Sequence, residues 1–181
     1  MKIRFTDKGD FEILLENALE KDIFPCIIRD ARALGEEWVS DSLGPDFDDE
    51  WFPGWQEWVQ PELQDAFSGQ LDAIRQYCKP RDNELHIPAR HLEDWYGAVN
   101  QARLVLENIF HFADEDLPDS FEEVIANNAE QWPEEKQSAY QRIHFYAWFQ
   151  EILLDGLQQS APWNTLEDDE EEGDGSDSEE E

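Results

Sequence analysis

Residues Ile87 to Ala113 read IPARHLEDWYGAVNQARLVLENIFHFA, and the fold follows from how this stretch is spaced. Leu92, Trp95, Tyr96, Val99, Ala102, Leu106, Ile109 and Phe110 fall on one broad arc of a helical wheel, the i, i+3, i+4, i+7 recurrence of a buried helix face. Pro88 suits the first turn of such a helix, where a missing backbone N–H costs nothing. Arg103 sits inside the apolar arc. Stranding a buried charge costs about 3–5 kcal/mol, so an arginine there needs a partner. Asn100 lies three residues before it and Glu107 four after, both on the same helical edge. Two readings stay open: a polar network or ligand contact, or an edge arginine whose stem covers apolar area while its head reaches water.

A second long helix opens after Pro133 and runs to about Gln159. Its apolar residues, from Tyr140 through Ile143, Phe145, Tyr146, Trp148, Phe149 and Ile152 to Leu157, surround the axis, which places it at the centre of a core. Gln150 is the polar residue nearest the middle of its richest face. These two helices should pack as the core rods.

The run Trp95, Ala98, Asn100, Arg103, Leu104, Leu106, together with AYQRIHFYAWFQEILLDGL from Ala139 to Leu157, resembles a bacterial family best known from actinobacteria, domain of unknown function 2017. A glycine and then an arginine usually follow that family's Asn-x-x-Arg-Leu-x-Leu motif, where this chain has Glu107 and Ile109. The family has no established activity, and its members are often encoded beside an adaptor of the Clp protease. The resemblance therefore implies a fold more than a function.

Outward from the two rods, Asp10 to Lys21 spaces Phe11, Leu14, Leu15, Ala18 and Leu19 as a helix of about three turns. Pro25 marks Ile23 to Ile28 as an extended connection. Ala31 to Val39 and Leu63 to Cys78 read as further helices, and Ser120 with Glu123 has the spacing of a capping box opening a short one. Lys2 to Phe5 and Glu84 to Ile87 alternate polar and apolar, so they could pair as one short two-stranded sheet. The expected fold is mainly α: a bundle of about five helices around two long core helices, spanning residues 1–163. Residues 164–181 are acid, Gly and Ser with too little apolar area to offset ordering, a disordered acidic tail.

Charge bounds the function. Forty-five acids oppose 13 bases, a formal charge of −32 over 181 residues. From Glu167 onward 11 of 15 residues are acidic, which still leaves the body with 34 acids against 13 bases. Such a surface repels nucleic acid backbones and anionic membranes and favours a basic protein or peptide. The same acidity could serve solvation at high salt. No apolar run approaches the length of a membrane span, and two cysteines, Cys26 and Cys78, read as reduced thiols of a cytoplasmic protein.

Chemistry-bearing motifs are sparse. His86, His91, His111 and His144 have no metal-ligand spacing, and the acids after Ala113 lack the glycine of a calcium loop, so no metal or cofactor is expected. No nucleophile elbow or phosphate loop is present, and no catalytic residue stands out. Trp51, Trp55 and Trp58 recur at i, i+4, i+7 among acids, either an aromatic surface for a cation, sugar or basic peptide or a roof over the core. The preferred expectation is a non-catalytic interaction or regulatory protein with a basic partner. The alternatives are a small-molecule-binding protein or hydrolase in which Asn100, Arg103, Glu107 and Gln150 hold an anionic group, and a nucleic-acid mimic.

Overall fold

The computed structural model describes residues 1–35, 38, 52–112, 120–128 and 131–159. Trp51 and the acidic tail from residue 164 lie outside these, as do residues 36, 37 and 39 of the stretch expected as a helix from Ala31 to Val39; its residues 32–34 instead form a turn, closed by the Gly35 N–H donating to the Arg32 carbonyl at 3.1 Å, with Gly35 at positive φ. Among the described residues the chain runs β1 (Lys2–Phe5), β2 (Phe11–Leu14), α1 (Ala18–Ala31), α2 (Gln60–Arg75), β3 (Glu84–Ile87), α3 (Leu92–Phe110), α4 (Phe121–Asn128) and α5 (Glu134–Gln159). A helical turn at Phe52–Gly54 and a π-helical turn at Trp55–Val59 lead into α2, and a 3-10 turn at Ala89–His91 leads into α3.

The stretch from Ile87 to Ala113 holds the hub of the fold. Helix α3 packs against α1, α2 and α5, with Leu92, Trp95, Ala98, Val99, Ala102, Val105 and Leu106 buried. Three neighbours surround it, so its buried arc is wider than a single stripe and takes in Gln101. Helix α5 runs antiparallel beside it: Lys136 Nζ donates to the Phe110 carbonyl near one end, and Gln150 reaches Asn100 towards the other. The core between them is aromatic. Phe24 of α1 meets Trp95, Phe145 and Phe149 edge to face, with centroids 5.4 to 6.1 Å apart, a geometry in which ring edge and ring face attract.

The expected two-stranded sheet has three strands, in the order β1-β2-β3. Both neighbours pair antiparallel to β2, Phe5 facing Phe11 and Phe11 facing Ile87. Lys2–Phe5 and Glu84–Ile87 are strands as expected, but β2, which the helical spacing of Phe11 to Leu19 concealed, lies between them. The physical reason is the alternation Phe11, Ile13, Leu15, all essentially fully buried, which satisfies a period of two as well as the helical one. Helix begins only after Asn17, whose side chain caps it by accepting from the Glu20 N–H at 3.0 Å. Arg81 and Glu84 close the turn into β3 through two backbone hydrogen bonds, with Asp82 and Asn83 both at positive φ, as a two-residue hairpin turn requires.

Pro25 lies inside α1 and does not end it. An interior proline costs about 3 kcal/mol, and burial of Phe24 and Ile27, about 1.5–3 kcal/mol per side chain, offsets it. Helix α5 is also less enclosed than its composition implies. Tyr146, Phe149 and Leu153 face the core, while Trp148 and Leu154 are about two-fifths exposed, at 41% and 43%. Ser120 caps α4, its Oγ accepting from the Glu123 N–H at 3.4 Å.

Candidate functional site

Arg103 projects from α3 toward α5. Its Nη1 donates to Gln150 Oε1, and Gln150 Nε2 donates in turn to Asn100 Oδ1 at 3.4 Å. Three of the four residues singled out from the sequence are thus joined across the two core helices; Glu107 stands one turn further along α3. Arg103 Nε is buried without a hydrogen-bond partner. His144 lies near the guanidinium, and its rings of contact are Tyr140 and Phe121, at 4.4 and 5.0 Å between centroids. Burial first, and the Arg103 charge second, hold the His144 imidazole below its ordinary pKa. Of the tryptophans, Trp58 is 68% exposed and Trp55 is partly covered, so the π-helical turn presents one indole outward.

The strongest polar constellation was not legible in the sequence. Asp30, in the last turn of α1, is 3% exposed. Its Oδ2 accepts from Arg142 Nε at 2.6 Å and from the Tyr146 hydroxyl at 3.0 Å, both on α5. Its Oδ1 accepts from Arg29 Nε and Nη2 at 3.0 and 2.9 Å. Arg142 Nη1 also donates to Ser138 Oγ at 2.7 Å, one turn back on α5. A buried carboxylate is tolerable because two guanidiniums and a phenol satisfy it. Burial, and then the neighbouring carboxylate, raise the Tyr146 phenol, which stays a donor. Asp30 was hidden because nothing in the local pattern sets it apart from the other acids. The available hint was its place one residue before Ala31 on the Phe24, Ile27, Ala31 face.

Beside this cluster a cleft of about 360 Å³ opens between the C-terminal turns of α1 and α3 and the first turns of α5. Arg29, Asp30 and Arg142 line its charged side, Leu106, Ile109 and Phe110 its apolar side, and Glu135 and Ser138 its rim. A second cleft of about 370 Å³ follows α2, between Tyr77, Lys79 and Arg81 and the β3 residues Glu84 to His86. Arg103 lines neither. Both cysteines are free thiols, and burial pushes the Cys78 thiol up to about 12, which keeps it protonated and inert. Among the described residues no three His, Cys, Asp or Glu side chains are placed to hold a metal ion, and no helix is long and apolar enough to cross a membrane.

No curated protein and no solved structure matches the chain. A family model described as a domain of unknown function, DUF2017, matches residues 12–157. The chain belongs to that family.

Proposed function

We propose that this DUF2017 protein is an interaction or regulatory protein, non-catalytic, whose acidic surface engages a basic protein or peptide. One observation carries the reading: how the few cations are disposed. Lys2, Arg4, Arg29, Arg32, Arg75 and Arg142 each lie within ion-pair distance of a carboxylate of the same chain. With 45 acids to 13 bases, most carboxylates have no lysine or arginine to offset them. Their field reaches outward, steering a polycation and repelling a polyanion.

The experiment is affinity capture from the native cell with the full chain and with residues 164–181 removed. Captured proteins should be basic and should elute as salt approaches about 0.5 M, where the Debye length falls to a few ångströms. Loss of capture on truncation would assign binding to the tail, and retained capture would assign it to the body. Neutral or acidic partners, held regardless of salt, would overturn the reading.

A further inference from the structure

We infer that the cleft beside Asp30 is a binding site for a free α-amino acid with an apolar side chain. Two cations, Arg29 and Arg142, and two anions, Asp30 and Glu135, line it, so the lining carries no formal net charge. A ligand with one positive and one negative end meets such a site without leaving a charge unpaired. A simple anion would also have to approach a chain of formal charge −32, whereas a zwitterion approaches without that penalty.

The donors are already oriented. Asp30 engages Nε and Nη2 of Arg29 and Nε of Arg142, and Ser138 engages Nη1 of Arg142. Arg29 Nη1 and Arg142 Nη2 lie outside those bonds, on guanidinium planes fixed by a buried carboxylate. Each can donate a charge-assisted hydrogen bond to an oxygen of an α-carboxylate. Glu135 supplies the acceptor for the α-ammonium, and the wall of Leu106, Ile109 and Phe110 takes the side chain. The volume, about 360 Å³, is at the small end of ligand sites, which suits one amino acid rather than a nucleotide.

The test is calorimetric titration and thermal unfolding of the full chain with leucine and phenylalanine, compared with serine, phenylalaninamide and N-acetylphenylalanine. Leucine or phenylalanine should bind saturably and raise the melting temperature. The amide, the acetylated compound and serine should each bind about tenfold more weakly or worse, each having lost one recognised group. Arg29→Gln and Glu135→Gln, both at solvent-exposed positions, should fold normally and weaken phenylalanine binding by a similar factor, with Arg103→Met as the control that retains it. Three results would overturn the inference: no saturable binding by any of the amino acids, equal binding by the blocked derivatives, or full binding by both cleft variants.

Discussion

Asp30 and Arg29 are bonded to each other, yet their substitutions should differ sharply. Asp30→Asn leaves Arg142, whose side chain is 14% exposed, facing a neutral amide in place of its counter-charge. Removing one member of a buried pair costs about 3–5 kcal/mol, and urea unfolding should show a loss of that size. Arg29 has 62% of its side chain in solvent, so Arg29→Gln should change the same measurement by less than about 1 kcal/mol. His144 supplies a pH dependence. Its pKa in the folded protein lies below the ordinary 6.5, so the unfolded chain takes up the proton first. The stability it contributes is complete above 6.5 and is lost as pH falls through the folded value. His144→Phe should therefore lose less stability than the parent between pH of about 7.5 and 5.5, measured as the urea midpoint. Helical spacing is a local signal, and it placed Arg103 within the apolar arc of α3. Its acceptor, the amide of Gln150 on a helix 47 residues away, is set by packing between helices, which no spacing within one helix encodes.

At the scale of elements, helix α5 meets the sheet at Gly156. A Cβ there would stand 2.5 Å from Phe11 Cζ and 2.8 Å from Phe5 Cε1, against rings whose centroids are themselves 4.1 Å apart. Gly156→Ala should destabilise by about 1–3 kcal/mol through overpacking, despite alanine's better helix propensity. Gly97 makes a close approach of another kind, to the end of the Gln70 side chain, which holds Gln101 at 2.9 Å. That amide can swing aside, so Gly97→Ala should stay within about 1 kcal/mol of the parent, helix propensity offsetting the lost bond. Paired thermal melts of the two variants check both. The elements legible in the sequence were those with a single period: the helices α2, α3, α5 and the capped α4, and the alternating strands β1 and β3. Strand β2 was misread because FEILL fits two periods at once, and only the β1 and β3 backbones on either side decide between them. Asn17, a capping residue with Glu20 three positions on, was the local cue to where helix α1 starts.

Over the whole molecule, self-repulsion opposes compactness. A chain of formal charge −32 should gain stability as salt screens it, with a higher melting temperature at about 0.5 M sodium chloride than at about 0.01 M, where the Debye length is roughly 30 Å. A melting temperature that falls with salt would mean that the ion pairs, not the repulsion, dominate. Charge was readable in full from composition, and it is the global property on which the proposed function rests. The cleft was not readable, because it is built from the ends of three helices that share no sequence neighbourhood. The sheet carries one more consequence, for the order in which the molecule assembles. Strands β1 and β2 are joined by a short turn, but β2 finds its other neighbour only after a long detour: Asp10 and His86, which meet across the turn and β3, are 76 residues apart. Closing a loop of that length rather than the short one costs about four doublings, roughly 2.4 kcal/mol of chain entropy, before any β2–β3 hydrogen bond repays it. The second ladder carries that cost and the first does not, so the β2–β3 pairing should form after the β1–β2 hairpin, an order that φ-value analysis of the two ladders checks.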